Sequence, residues 1–356
     1  MSRSTVGYSD ESNRLLTFSP YSRRAGSTRV RVHEWLEYTG TTAISRDYLE
    51  LLSNGPDELA RRPLSVAAFE IKLRAIASKR LPRVLISRAA TPLGNGSVEA
   101  RLLDQSDHGV FDFDDAIMLP STSRLANMLV DAEAKAIRMV TSADQVVAGN
   151  EWLAEWASQF AKDVVVIPSC VDTDRYLVKS SFAIEGVPRL VWVGSRATER
   201  YLESIAQALA VVHRETGATL TVISSPQPSH LDQLPFVRRI PWSAHEQFHL
   251  GDFDVALSPL NSGAWENGKC GYKTIQYGAS ALPIVGSPFG VNAEMIPKFG
   301  GLEARDAAEW VAALIDLISA PAEDRAESGR KARSATERYF GFAAWQETWL
   351  KVVTGA

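Results

Sequence analysis

The sequence predicts an α/β protein of two domains, each with a parallel sheet, and a cleft between the carboxyl ends of their strands. Three observations support this. Short apolar runs with the length and bounds of buried parallel strands recur along the chain, as at residues 83–87, 190–194 and 254–258. Segments of helical patterning alternate with them, as at 27–36 and 199–214. At 356 residues the chain is long enough for two cores of ordinary size.

In the first domain, placed at 1–180, residues 14–19 read as the opening strand. Its loop, Pro20 to Gly26, leads into a helix with Ser27 or Thr28 as N-cap. A strand at 83–87 ends in Arg88, and a loop with Pro92, Gly94 and Gly96 precedes a short helix near 98–103. The next strand ends in Asp112-Phe-Asp114-Asp115. Three carboxylates at that spacing invite a metal reading, which the two-domain plan argues against; the plain reading is that Asp114 or Asp115 caps the following turn. A strand is expected at 137–141. Trp152, Leu153, Trp156 and Phe160 recur at helical spacing as core, and a strand at 163–167 closes the domain.

The second domain, placed at 181–338, opens with the strand ending in Gly194. Thr198 is the expected N-cap of the 199–214 helix. Strands follow at 219–223 and 236–240, and Ser243 with Glu246 fits a capping box. After the strand at 254–258 comes a loop with Gly263, Gly268 and Gly271, then a helix from Tyr272 to Ser280. Strand, glycine-rich loop and helix N-terminus make an anion site, because free N–H groups and the positive end of the helix dipole point into the loop. Lys269 and Lys273 add cations where the dipole favours neither, which is explained if an anion sits there. Residues 339–356 form a final helical segment with an aromatic face that includes Phe342, Trp345 and Trp349.

Composition narrows the class. With 45% hydrophobic and 22% charged residues, the chain reads as a soluble globular protein. No apolar run approaches the ~20 residues that span a bilayer, and Met1-Ser-Arg-Ser-Thr5 lacks the apolar core of a signal peptide. Both point to the cytoplasm. Cys170 and Cys270 make no metal spacing, and a net charge of −4 argues against nucleic acid as partner. Charge is uneven locally: Arg61, Arg62, Lys72, Arg74, Lys79, Arg80 and Arg83 lie in a stretch whose sole acid is Glu70. Val66, Phe69, Ile71, Leu73 and Ile76 are spaced loosely as one helix face. The segment either contacts an anionic membrane surface peripherally, at the inner face of the membrane, or is a solvated basic helix packed by that face onto its domain.

The run Gly268-Lys-Cys-Gly-Tyr-Lys273, followed by Gln276-Tyr277, Leu282–Val285 and Ser287–Asn292, resembles the donor-site motif of family 4 retaining glycosyltransferases (glycosyl transferases group 1). It matches the branch that writes K-C-G-x-K-x-x-Q-Y. Ser27-x-Arg29-x-Arg31, Asp112-Phe-Asp-Asp-Ala116 and Ala143-Asp-x-Val-x-Ala-Gly-Asn150 resemble further elements of that branch. The resemblance implies the GT-B fold: two Rossmann-like domains, an acceptor-binding one and a donor-binding one, facing a cleft, with the last helix crossing back to the first domain. It implies transfer of a sugar from a nucleotide diphosphate sugar to an acceptor hydroxyl with retention, without metal or other cofactor. Glycan, lipid-linked and small-molecule acceptors, in cell-surface polysaccharide, glycolipid or secondary-metabolite glycosylation, are all compatible.

Residue roles follow from the same resemblance. Lys273 and Arg200 stabilise the leaving diphosphate, and Asp114 and Asp115 face the acceptor hydroxyl. Gly194, Ser195 and Arg196 join the diphosphate site, Ile240 and Trp242 line the base pocket, and Gly268, Lys269, Cys270, Gly271, Tyr272 and Gln276 surround the donor. Gly26, Ser27, Arg29, Arg31 and Arg88 lie on the acceptor side; Arg29 and Arg31 either reach a phosphate or acidic acceptor or are plain surface charges. The chain departs from the family at four positions. Gly268 and Gln276 stand where the family at large has glutamates, Arg200 where it has a lysine, and Ser195 where it has an arginine. Two other functions keep the fold: a non-catalytic nucleotide-sugar binder, and a nucleotide-sugar epimerase, for which the histidines form no acid/base constellation.

Overall fold

The computed structural model describes residues 14–52, 56–121, 127–128 and 130–355. Residues 1–13, from which the leader expectation is read, lie outside the described residues. Among the described residues the chain forms two six-stranded sheets, and every strand pair in them is parallel.

The first sheet contains β1 (Leu15–Ser19), β2 (Ala43–Asp47), β3 (Leu81–Ser87), β4 (Ser106–Phe113), β5 (Gln145–Ala148) and β6 (Val164–Val166), in the order β2-β1-β3-β4-β5-β6. The second contains β7 (Arg189–Val193), β8 (Thr219–Ser224), β9 (Val237–Pro241), β10 (Val255–Ser258), β11 (Ile284–Gly286) and β12 (Leu302–Glu303), in the order β12-β11-β10-β7-β8-β9. The strand order reverses between β1 and β3 in one sheet and between β7 and β10 in the other. In open parallel sheets the loops leaving the carboxyl ends at such a reversal form the ligand crevice. The two stretches to examine are therefore the loops after β1 and β3, and those after β7 and β10.

Both faces of the second sheet are covered, which is why its strands read as continuous apolar runs. Along β7, Leu190 and Trp192 enter one buried cluster with Leu209 and Trp310. Val191 and Val193 enter another with Ile275 and Phe299.

The chain divides into two compact units, residues 1–168 with 346–356, and residues 169–345. The sequence places the divisions at 180 and 338 instead. Residues 169–180 pack with the second unit because Val171 enters its core and bridges Gly341, while the Lys179 ammonium is buried against Asp254 at 3.3 Å. The last helix, Phe342–Thr354, supplies its end to the first unit. There the Trp349 ring stacks on Trp35 at 5.2 Å and 3°, and the Val352 carbonyl lies 2.7 Å from His108 Nε2.

Several local expectations are corrected. Residues 137–141, read as a strand, lie in a helix, Ala132–Ser142, capped by the Asp131 carboxylate. A stretch as short as Ile137-Arg-Met-Val-Thr141 does not distinguish strand from buried helix, and Ala136, Met139 and Val140 are buried at helical spacing. The helix read at 27–36 begins at Gly26 after Ala25, without a side-chain cap from Ser27 or Thr28. It passes through a π-helical stretch, Arg29–His33, before Glu34–Thr39. The helix read at 199–214 is broken into Glu199–Glu203 and Ala206–Thr216. Ser243 does cap Glu246 N–H, but the Glu246 carboxylate turns to His245 at 3.4 Å.

The Trp35–Trp349 stack ties the first unit's core to the chain's last helix. Trp349→Ala is expected to cost about 3–5 kcal/mol, as large-to-small core changes do, read as a lower urea midpoint by circular dichroism.

Candidate functional site

In the second unit, the carboxyl ends of β7 and β10 bring together the loop after Gly194, the loop 259–271 and the helix Tyr272–Ala279. Gly271 is the helix N-cap, at φ +62° and with no side chain to satisfy the first-turn N–H groups. A Cβ there would meet Met295 Sδ at 2.5 Å, so position and conformation both require glycine. Buried hydrogen bonds pin this turn to the sheet. Thr274 Oγ1 lies 2.8 Å from Ser258 Oγ at the end of β10, and Asn292 Nδ2 donates to the Ser258 carbonyl at 3.0 Å.

Lys273 leaves the first turn of that helix and crosses to the end of β7. Its Nζ lies 4.4 Å over the Trp192 ring and donates to Thr198 Oγ1 at 3.0 Å. Gly194 makes room for both: a Cβ there would strike the Trp192 ring and lie 2.8 Å from Lys273 Cε. Burial, reinforced by the Lys269 charge and opposed by Glu199, pushes Lys273 down to about 7. Near neutral pH its ammonium is thus poised to lose or keep its proton.

Around this lysine the remaining charges are spoken for. Glu199 is fully buried and accepts from Ser224 Oγ at 2.7 Å and from Arg239 and Arg196 at 2.9 and 2.8 Å. Burial works against its ionisation, but these bonds hold it below the ordinary carboxylate range. Arg200 donates to Tyr201 Oη at 2.8 Å, and the Tyr201 hydroxyl donates to Glu266 Oε1 at 2.6 Å. Burial pushes the Tyr201 hydroxyl up to about 12, so it stays a donor. Trp192, Thr198, Tyr201 and Glu266 escape a reading of the sequence. Trp192 looks like strand core, and Glu266 sits among the glycines of its loop without a recognisable partner nearby in sequence.

Of the residues expected at the donor, Lys273, Gly194 and Gly271 come together. Ser195 Oγ lies 3.4 Å from Thr198 Oγ1, and Lys269 Nζ sits 5.9 Å from the Trp265 ring. Gly268 ends the short helix Ala264–Asn267, Cys270 is buried with Sγ 4.0 Å from the Gly268 carbonyl, and Tyr272 is half-buried. Ile240 lies half-buried next to the end of β9, and Trp242 just beyond the strand is 39% exposed. Arg196 is tied to Glu199, whereas Arg200 remains half exposed. Gln276, expected near the donor, is buried. It lies on the interior side of its helix, donating to Gln247 Oε1 at 3.2 Å and Tyr176 Oη at 3.4 Å.

In the first unit, the loops after β1 and β3 hold a set of ion pairs. Arg31, expected on the acceptor side, and Asp112 are buried together, with Arg31 Nε 3.1 Å from Asp112 Oδ1. Arg31 Nη1 also donates to the Ile167 carbonyl at 2.8 Å. Arg29 pairs with Glu34. Gly26 is exposed, Ser27 is half-buried. Arg88 has φ +63°, a strained conformation for a residue with a Cβ, and from it reaches Asp114 at 2.6 Å and Asp115 at 3.2 Å. Burial opposes the ionisation of Asp114, but the Arg88 and Arg31 charges hold it below the usual range. Asp115 Oδ1 also accepts from Ala116 N–H at 3.2 Å, the turn-capping alternative. Among the described residues no group of His, Cys, Asp and Glu is arranged to hold a metal ion.

Two outcomes follow. Arg31→Met leaves Asp112 buried without its charge partner and is expected to destabilise by about 3–5 kcal/mol, read by urea unfolding, with Asp112→Asn in the same chain recovering most of the loss. Lys273 in the folded protein titrates near 7, against 10.5 for a free lysine. A base lowered in this way costs stability fully below pH 7, less as pH rises towards 10.5, and nothing above. Lys273→Met should therefore raise Tm at pH 6 and leave it nearly unchanged near pH 10. A lower Tm at pH 6 would make Lys273 a structural residue.

No family model matches the chain, and no curated protein matches its sequence. Its fold does match solved structures. A sucrose-phosphate synthase from Thermosynechococcus elongatus matches with a TM-score of 0.67 at 13% identity, over 95% of this chain and 98% of that one. A UDP-forming α,α-trehalose-phosphate synthase from Burkholderia vietnamiensis matches with a TM-score of 0.64 at 11% identity, over 97% and 99%. Against a chain of a GtfA/B complex, the TM-score is 0.58 at 12% identity over 82% of this chain, which spans 60% of that one. At such identities the likeness is one of fold: the two-domain α/β fold with parallel sheets that these structures share, GT-B.

Proposed function

We propose that the protein is a GT-B glycosyltransferase of the family 4 type, moving a sugar from a nucleotide diphosphate sugar to an acceptor hydroxyl with retention at the anomeric carbon. The observation that carries this is Lys273, a cation held against an aromatic ring at the uncapped N-terminus of a helix, where the helix dipole and Lys269 both oppose it. A diphosphate satisfies all of these groups at once.

In this reading the bond between the anomeric carbon and the diphosphate breaks, and the electron pair stays on the diphosphate oxygen. Lys273, the half-exposed Arg200 and the N–H groups of the turn at Gly271 meet the charge that develops there. The arriving anion also draws a proton onto Lys273, because an adjacent negative charge favours the charged form. Tyr201 and Arg200 aim the Glu266 carboxylate within the donor loop, which assigns to Glu266 the hydroxyl recognition that Gly268 and Gln276 do not provide. Ile240 and Trp242 flank the base. Asp114 and Asp115, held by Arg88, orient the acceptor hydroxyl. The reaction as proposed needs no metal ion, since the cations are supplied by side chains, and the acceptor is a glycan, lipid-linked or small-molecule hydroxyl met in the cytoplasm.

A second reading, a binder without turnover, is favoured by one observation: the Gln276 amide is engaged by Gln247 and Tyr176. Release of nucleoside diphosphate from donor in the absence of acceptor separates the two, because a binder releases none.

Both readings meet in a thermal-shift panel of nucleoside diphosphates with and without Mg²⁺, beginning with UDP, the product named for the trehalose-phosphate synthase above. One diphosphate is expected to raise Tm equally in both conditions. Lys273→Ala should remove that shift and lower turnover by ~100- to 1000-fold. A shift that requires Mg²⁺, or one that survives in Lys273→Ala, contradicts the proposed site.

A further inference from the structure

The Pro63–Ala77 helix of the first unit has two apolar faces. Leu73 and Ala77 are buried against the domain, with Val66, Phe69 and Ile76 half-buried beside them. Ile71, which the sequence groups with these residues, points the other way and is 67% exposed. It belongs to an outer stripe of Leu64, Ala67, Ala68, Ile71 and Ala75, all exposed, with Leu64 at 85%. Their spacing of three and four residues places them on one side of an α-helix, one above the other. At 100° per residue, Lys72 and Arg74 fall on opposite flanks of that stripe, and both are exposed. Further exposed cations, Arg61, Arg62, Lys79 and Arg80, gather at the two ends of the helix.

The neutralising acids are few. Glu58 serves Arg61 and Arg62, Asp107 serves Arg80, and Arg74 lies 3.9 Å from the mostly buried Glu70. This face is thus cationic on a chain whose net charge is −4. Fifteen residues of helix with a shallow apolar strip between two cationic margins is the form of a helix lying in a bilayer interface, where aliphatic side chains enter the acyl boundary and Lys and Arg reach sideways to headgroups. A helical partner would want large knobs along the whole stripe, and the alanines at 67, 68 and 75 supply none.

We propose that the outer face of the Pro63–Ala77 helix docks the protein on an anionic lipid bilayer, with Leu64 and Ile71 inserted and Lys72 and Arg74 among the headgroups. Among the described residues no helix is long and apolar enough to cross a membrane, and the contact proposed is that of one helix face with the bilayer surface. It is independent of the proposed sugar transfer: lipid binding and nucleotide binding are measured separately and involve no common residue.

The experiment is co-sedimentation of the full chain with vesicles of phosphatidylglycerol and phosphatidylcholine, and with vesicles of phosphatidylcholine alone. Binding to the anionic vesicles is expected, with loss as salt is raised, and little binding to the neutral ones. Because both side chains are exposed, Leu64→Glu/Ile71→Glu should leave the circular dichroism spectrum and any nucleoside diphosphate shift intact, while lowering the vesicle partition about tenfold or more. Lys72→Glu/Lys79→Glu should lower it several-fold, as expected for cations near such a surface. Absence of binding to anionic vesicles, or binding unaffected by Leu64→Glu/Ile71→Glu, overturns the proposal. So does a dimer on size exclusion that Leu64→Glu/Ile71→Glu dissociates while no vesicle binding is seen, which would make the stripe a self-association surface.

Discussion

The second unit is arranged around one unfavourable placement, the Lys273 ammonium at the positive end of a helix, with the Trp192 ring beneath it. Nothing in isolated helix chemistry keeps a cation there. What keeps it is the surrounding packing. The Ser258, Thr274 and Asn292 hydrogen bonds fix the helix to β10, and Gly194 leaves the passage through which the lysine stem reaches β7. Glu199 is near enough to favour the charge, yet its oxygens are engaged by Arg239, Arg196 and Ser224. Positive charge is therefore held in surplus, the condition an electrostatic site for a developing anion requires.

The corresponding corner of the first unit is balanced differently. Its arginines and aspartates close on one another, Arg31 on Asp112 and Arg88 on Asp114 and Asp115. Two arginines face three aspartates there, so no positive charge is left in surplus, and the pairs give a polar, fixed geometry suited to orienting a hydroxyl. The contrast between an ion-paired corner and a cationic one runs parallel to the division of labour proposed for acceptor and donor.

Much of the fold was legible from local pattern, because strands covered on both faces announce themselves as short apolar runs that end in Gly194, Arg88 or Ser258. The failures share a cause. Residues 137–141 are apolar for their helix's contact with the sheet, and a run that short carries no period. Ile71 was grouped with the inward face because apolar residues on both sides of one helix blur its amphipathic signal. Lys273 and Gly271 were readable because a glycine-rich turn before a helix has a local mechanism. Glu266 was not, since its meaning comes from Tyr201, distant in sequence and adjacent only after folding. Arg31 read as a surface charge or an acceptor ligand, and only the fold buries it beside Asp112.

The first unit is discontinuous: residues 346–356 complete a core whose other members lie before residue 169. During synthesis the whole second unit leaves the ribosome before Trp349 can meet Trp35. Chains ordinarily fold domain by domain from the amino terminus as they emerge. Here the nascent first unit must wait, with one side of Trp35 uncovered, until the last helix arrives. The protein's vulnerability to aggregation and chaperone capture is thus set by the time taken to translate its carboxyl-terminal half, a quantity that no contact in the finished fold records.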